Sequence, residues 1–264
     1  MNKNVFTLIT GASMGIGKAF AEACAARGMN LLLVALPDEF LQQVGQELTA
    51  SFSVKILVYG TDLTREAAVP ELFEYCRKQE LEINMLINNA GVGAGGRFEN
   101  ISLEKYLQIV NLNNRALVQM CHHFLPLLKQ HRQAYMLNMS SMEATLPLPY
   151  KAVYTGSKNF VYAFSLALRE EQKKGPVRVT VVCPGPVMTN PDALRRLEAH
   201  GGRAKWVVSS PAEVAEAGLK GMLRGKNIII PGRINGLMSS LMKHCPTGLK
   251  MRLLERLFRV YSEH

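Results

Sequence analysis

Hydrophobic and polar positions alternate along the chain in two patterns. Short, nearly continuous apolar runs recur at 5–10 ("VFTLIT"), 30–35 ("NLLLVA"), 54–59 ("VKILVY"), 83–88 ("INMLIN"), 134–140 ("AYMLNMS"), 177–183 ("VRVTVVC") and 227–230 ("NIII"). Runs of this length without polar alternation are expected of parallel strands covered on both faces. Longer amphipathic stretches between them predict helices over 15–28, 39–50, 65–80, 102–130, 152–173 and 211–224. The last has a marked start, because Ser210 and Glu213 form a capping box around Pro211 at the first helical position. Seven strands alternating with six helices predict an α/β fold: a doubly wound parallel seven-stranded sheet in three layers, α/β/α. No internal repeat, low-complexity segment or linker divides the 264 residues, so a single domain over 1–264 is expected.

Composition narrows the class. Hydrophobic residues make up 48% of the chain and charged residues 20%, which excludes a disordered chain. The longest apolar runs, such as "LLLVAL" at 31–36, are far shorter than the ~20 residues needed to span a bilayer. No charged start leads into an apolar stretch and a cleavage site, so a cytoplasmic location is expected. Five cysteines (Cys24, Cys76, Cys121, Cys183 and Cys245) are odd in number, sit in apolar surroundings and lack metal-site spacing. Reduced thiols and no bound metal follow as expectations. The net charge of +10 is uneven: from Gly221 onward eight Lys or Arg stand against Glu255 and Glu263. No finger, helix-turn-helix or aromatic stacking pattern accompanies that charge, so no nucleic-acid partner is expected. The basic segment 233–264 alternates leucines with Lys and Arg, as a basic amphipathic helix does. Such a helix packs on protein, the favoured expectation here, or rests peripherally on an anionic membrane.

Three stretches carry candidate chemistry. "TGASMGIGKAF" follows the first strand and puts Gly11, Gly15 and Gly17 at the turn into the first helix. Glycines there let backbone N–H groups approach a pyrophosphate at the positive helix end; the alternative is a tight turn without a ligand. The order G-x-x-x-G-x-G differs from the commoner G-x-G-x-x-G but keeps its strand–turn–helix setting. In "TDLT" at 61–64, Asp62 could accept from an adenine or cap the turn at Thr64. In "AVYTGSKNF" at 152–160, Tyr154 and Lys158 are stacked neighbours on one helix face. A free phenol titrates near ~10, and a nearby cation stabilises its phenolate. The pair is a tuned proton donor or an ordinary polar face.

Together with "NNAG" at 88–91, these segments resemble the classical short-chain dehydrogenase/reductase family from about Val5 to Gly232. The resemblance implies a Rossmann fold and hydride transfer between NAD(P) and a small-molecule carbonyl or secondary alcohol. It places Gly11, Ser13, Gly15, Ile16 and Gly17 on the cofactor phosphates and Asp62 and Leu63 near adenine. Asn89, Ala90 and Gly91 would line the cofactor, and Pro184, Gly185, Val187 and Thr189 of "PGPVMT" would hold the nicotinamide amide. Ser141 lies thirteen residues before Tyr154, at the family's catalytic serine. Tyr154 would then be the acid/base and Ser141 would stabilise the oxyanion. Lys158 would bind the nicotinamide ribose and lower the Tyr154 pKa, and Asn111 in "IVNLNN" would hold a water linking Lys158 to solvent. Residues 190–208 fall at the family's substrate lid, and 91–100 at a wall of the site. The helices at 102–130 and 152–173 fall at its subunit interface, which implies a homodimer or homotetramer.

The end of the second strand departs from the pattern. Ala35 stands where related NAD enzymes carry Asp, and Leu36 where many NADP enzymes carry Arg; Met14 fills another place that is often basic. Without an acid at 35 a 2′-phosphate meets no repulsion, and a basic chain favours the more anionic cofactor. NADP is therefore expected over NAD, with Asp38 as the competing selector. Two other functions use the same fold. A non-catalytic nucleotide sensor or scaffold commonly loses one of the four catalytic positions, all kept here, and a sugar-nucleotide epimerase needs a longer C-terminal part. His122 and His123 are expected to pack rather than ligate.

Overall fold

The computed structural model describes residues 4–188, 208–232 and 246–259. Seven strands form one parallel sheet: β1 (Val5–Thr10), β2 (Asn30–Ala35), β3 (Ile56–Gly60), β4 (Glu82–Asn88), β5 (Ala134–Met139), β6 (Val177–Val182) and β7 (Ile228–Ile229). Their spatial order is β3-β2-β1-β4-β5-β6-β7, all pairs parallel. The helices are α1 (Gly15–Ala25), α2 (Glu39–Ser51), α3 (Ala68–Lys78), α4 (Leu103–Val110), α5 (Leu117–Leu128), α6 (Ala152–Glu171), α7 (Pro211–Leu223) and α8 (Thr247–Phe258). The apolar strands supply both faces of the sheet. Phe6, Leu8, Leu32 and Val34 pack with Leu72 and Phe124 on one side, while Ile9, Leu31 and Leu33 pack with Phe20, Val44 and Leu219 on the other. The doubly wound prediction holds, with helices on both faces.

Strands are added outward in one direction from β1 to β3 and in the other from β4 to β7, and at this switch between β1 and β4 the carboxyl ends of the strands open a crevice. Side chains buried at that edge stitch the layers together. Asn88 Nδ2 on β4 donates to Asn138 Oδ1 on β5 at 2.9 Å, and Asn138 Nδ2 donates to Ser165 Oγ on α6 at 2.9 Å. One turn-pair earlier on α6, Ser140 Oγ donates to Lys158 O at 2.7 Å. Polar residues in a dry core are tolerated only when bonded, and these bonds fix the azimuth of α6 on the sheet.

Local chemistry sets several boundaries. The capping box forms, with Glu213 N donating to Ser210 Oγ at 3.2 Å and Ser210 N donating to Glu213 Oε2 at 2.8 Å. Strand β3 begins later than expected, because Lys55 N is taken at 3.0 Å by the Asn30 side chain. The helix expected over 102–130 is interrupted. Between α4 and α5 a π-helical segment, Asn111–Ala116, adds a wide turn, a feature often found where a helix presents functional groups.

The C-terminal helix α8 lies against the segment leading into α6. Leu254 is buried, Tyr150 Oη donates to Glu255 Oε1 at 3.1 Å, and the Lys151 ammonium stands 5.3 Å from the centre of the Phe258 ring. One face of the expected amphipathic helix therefore packs on protein. No helix of the described residues is long and apolar enough to cross a membrane.

Candidate active site

At the β1–α1 turn, Gly11 has φ +64°, a conformation that favours glycine. A Cβ on Gly17 would stand 1.9 Å from Gly11 O, so the loop closes only with glycine at 17. Helix α1 starts at Gly15 without a side-chain cap, which leaves its first-turn N–H groups to an anion. The neighbouring strand end braces this loop. Thr10 Oγ1 accepts from Asn89 N and Ala90 N, both at 3.0 Å, and Asn89 Nδ2 donates to Thr10 O at 3.0 Å and Gly11 O at 3.2 Å. Asn89 thus holds the phosphate loop in shape. The cradle fits a dinucleotide pyrophosphate, since a loop closed by glycines brings chain turn and uncapped helix start together. Asp62 is committed locally: its Oδ1 accepts from Thr64 N at 2.8 Å and Thr64 Oγ1 at 2.7 Å, the capping alternative. Leu63 beside it is buried.

The reactive side chains come from β5 and α6. Ser141 ends β5's extension, and its Oγ accepts from Glu143 N at 3.1 Å, while its side chain lies near enough to the Tyr154 phenol to favour the ionised form. One turn along α6, Lys158 is buried, and its Nζ donates to Met139 O at 3.0 Å. Burial pushes this ammonium down to about 8. A methyl placed on Gly91 would meet Lys158 Nζ at 3.0 Å and Asn113 Oδ1 at 3.1 Å. One placed on Gly93 would meet the Tyr154 ring at 2.9 Å, so the 91–97 loop walls the site as expected. Pro184 and Gly185 follow β6 beside this cluster, with Met142 N donating to Pro184 O at 2.9 Å, and Val187 bridges to Ser209. Thr189 and 190–207 of the lid lie outside the described residues, as do 233–245 and 260–264 of the basic segment.

Two expectations are corrected. The asparagine brought to Lys158 is Asn113 rather than Asn111. Its Oδ1 accepts from Val92 N at 2.9 Å, and its Nδ2 donates to Val92 O and Ser157 Oγ, each at 2.9 Å. Asn111 is half-buried at the start of the π segment, whereas Asn113 inside it is buried. The sequence offers three asparagines in "NLNN", and nothing local separates them; only the π turn does. Asn113→Ala is expected to lower turnover by about a hundredfold, as the loss of a buried group with several bonds at the site does. Asn111→Ala is expected to change it by less than about threefold, and steady-state kinetics of the two variants decide between them.

The second correction concerns the Tyr154 phenol, which is pushed up, not down, in the chain by itself. Burial is the main cause and the Glu143 carboxylate adds to it, against the opposing effect of the Ser141 side chain. Lys158 spends its ammonium on Met139 O, and low polarity around the phenol outweighs it. Sequence reasoning also missed Asn138, Ser165 and Ser140, which orient α6. Their signal was a polar residue inside an apolar strand, "AYMLNMS".

Fold and site together define a class: a doubly wound dinucleotide-binding domain with an oxidoreductase's proton-donor site at its strand ends. The chain belongs to the short-chain dehydrogenase family, whose profile, described as short chain dehydrogenase, matches residues 5–199. It is 31% identical over 189 residues to the 17-beta-hydroxysteroid dehydrogenase type 3 of Danio rerio, covering 70% of this chain and 61% of that protein. It is 32% identical over 206 residues to the very-long-chain 3-oxoacyl-CoA reductase of Eremothecium gossypii, 75% of this chain and 58% of that one. The chain therefore spans about three fifths of these two relatives. A solved short-chain dehydrogenase from Sphingobium yanoikuyae, in complex with NADPH, superposes with a TM-score of 0.76 at 28% identity over 91% of this chain and 96% of that one.

Proposed function

We propose that the protein is an NADPH-preferring reductase of carbonyls, and dehydrogenase of the matching secondary alcohols, acting on neutral lipid-like substrates. The observation that carries this reading is the Ser141 side chain beside the Tyr154 phenol, one helical turn from a buried Lys158, at the strand ends beside the phosphate cradle. The bound nicotinamide supplies the hydride. Tyr154 keeps its proton through neutral pH and gives it to the carbonyl oxygen. The Ser141 hydroxyl donates to the same oxygen as negative charge develops on it. Lys158 Nζ and Asn113 Oδ1 both face Gly91, where the ammonium can turn to ribose hydroxyls and a proton can return towards solvent. The lipid-like substrate class is supported by the names of the two curated relatives, a hydroxysteroid dehydrogenase and an oxoacyl-CoA reductase.

For the cofactor, Ala35 ends β2 with no acid, and Leu36 and Met14 stand 54% and 56% exposed. Asp38 is turned to its own helix, where it accepts from Leu41 N at 3.0 Å, so it is a cap rather than a ribose acceptor. A preference for NADPH of about tenfold, ~1.4 kcal/mol, is expected. Leu36→Arg should enlarge it and Ala35→Asp should reverse it. Titration with NADPH and NADH, followed by a carbonyl panel, tests the whole reading. Tighter NADH binding removes the cofactor part, and no turnover of any carbonyl with either cofactor favours a nucleotide-binding scaffold.

A homodimer or homotetramer is the proposed assembly. Leu103, Leu107, Val110 and Val118 along α4 and α5 and Phe160 on α6 are exposed apolar residues on the helices expected to pair. Burying such a patch against its own copy is the economical way to remove it from water. A clean monomer in light scattering at micromolar concentration would count against it. A reducing compartment is supported by Cys24, Cys76 and Cys121, which are free and buried, and we place the protein in the cytoplasm.

A further inference from the structure

Helix α8 has two faces of different chemistry. The inner one carries Leu254, Glu255 and Phe258 onto the protein body, as described above. On the outer one Leu249, Leu253 and Leu257 stand 54%, 49% and 62% exposed. At i, i+4 and i+8 they form one ridge along the helix. Arg252 and Arg256 flank the ridge on one side and Lys250 on the other. The helix has one acid, Glu255, and it is turned inward to Tyr150 and towards Arg259.

We propose that this outer face is a docking surface for an anionic lipid membrane, and that docking sets the rim of the substrate cleft at the bilayer. A leucine ridge bordered by cations is the pattern of a helix lying in a membrane interface, with the apolar side chains in the acyl boundary and the cations among anionic headgroups. A second copy is the competing occupant. In a twofold contact this face would meet itself, setting Arg252 and Arg256 against their own copies, and like charges oppose such a pairing. Charge therefore selects an anionic partner, and a convex ridge fits a fluid surface.

Helix α8 also grips the corner of the active site. Tyr150, which donates to Glu255, has φ +65° and lies two residues before α6, and its carbonyl accepts from Gly96 N of the site wall at 2.8 Å. Lys151, beside Phe258, pairs with Glu143 at 2.9 Å, two residues beyond Ser141. A membrane touching α8 is thus one layer of side chains from the residues that hold Tyr154 and Ser141. Lipophilic carbonyls could pass from bilayer to cleft without crossing bulk water. This last step rests on the proposed substrate class, whereas the docking itself does not.

Co-sedimentation with phosphatidylcholine vesicles, with and without phosphatidylserine and at low and high salt, tests the docking without any turnover. The full chain is expected to bind the phosphatidylserine vesicles at least about tenfold more strongly than the neutral ones, and to be released by high salt. Leu253→Asp with Leu257→Asp should abolish that binding at an unchanged melting temperature. Arg252→Gln with Arg256→Gln should abolish the preference for phosphatidylserine. Equal association with both vesicles overturns the proposal, as does binding that survives the leucine substitutions. So does an oligomer in light scattering that Leu253→Asp converts to a smaller species, since the ridge would then be covered by a second copy. Loss of carbonyl turnover with intact vesicle binding would fault the catalytic reading and leave the docking standing.

Discussion

Tyr154→Phe is expected to lower kcat for carbonyl reduction by roughly a thousandfold, within the range a positioned general acid contributes, while NADPH affinity stays within about threefold. The ring of Tyr154 packs against the Gly93 wall, and its hydroxyl lies near Ser141. Phenylalanine keeps the first contact and loses only the transferable proton. The neighbouring Ser141 hydroxyl is a poor substitute, because an aliphatic alcohol is a much weaker acid than a phenol. Single-turnover kinetics with a fluorescence titration of NADPH separate the two effects. Retention of more than a few per cent of kcat would remove Tyr154 as the acid.

Lys158→Met is expected to abolish turnover and at the same time stabilise the fold. Burial lowers the ammonium from 10.5 to about 8, so at pH 7 the folded chain holds a charge it disfavours by roughly 3 kcal/mol. The lost bond to Met139 O offsets about 1–2 kcal/mol of the relief. A net gain of about 1–2 kcal/mol is left at neutral pH. The pH dependence follows in sign. Between about 8 and 10.5 the unfolded chain binds the Lys158 proton and the folded chain does not. In that window Lys158 makes stability rise with pH, and below about 8 its contribution is a constant penalty. The methionine variant loses that rise, so the difference between the two chains is largest at pH 7 and narrows towards pH 10.5. Denaturant unfolding of both chains across this range measures it. A variant less stable than the parent at pH 7 would show that Lys158 stabilises the fold where it sits. A gain in stability with a loss of function would identify a residue kept for catalysis.

Much of the architecture was legible because its causes are local. Apolar runs at 5–10, 30–35 and 83–88 exclude solvent on both faces wherever they lie in space, and parallel strands are the elements that permit it. Ser210, Pro211 and Glu213 satisfy the orphan N–H groups of α7 within four residues, so that start was readable as text. The spacing of Tyr154 and Lys158 placed them on one helix face before any strand order was known. Ser141 was legible through the family resemblance, which sets a catalytic serine thirteen residues before the tyrosine; in the structure a strand end and the following helix start share one edge of the sheet.

Other features depended on contacts between distant residues. Asn113 was distinguishable from Asn111 only through the π turn, which rotates the helix face and aims one amide at Val92 and Ser157. Asp62 could cap or contact, and only the structure shows its Oδ1 accepting both Thr64 bonds. The rise of the Tyr154 pKa needed the burial of the phenol and the nearness of Glu143, eleven positions earlier, neither of which a helix face contains. The two faces of α8 became distinct only when Tyr150 and Lys151 took up Glu255 and Phe258. The sequence by itself thus determined the elements, their order and the residue types that meet at the strand ends, because side-chain periodicity and capping act within a few residues. The tertiary structure alone decided which of those residues touch, which charges are buried and which helix face meets solvent, because desolvation and hydrogen bonding depend on neighbours brought from other strands.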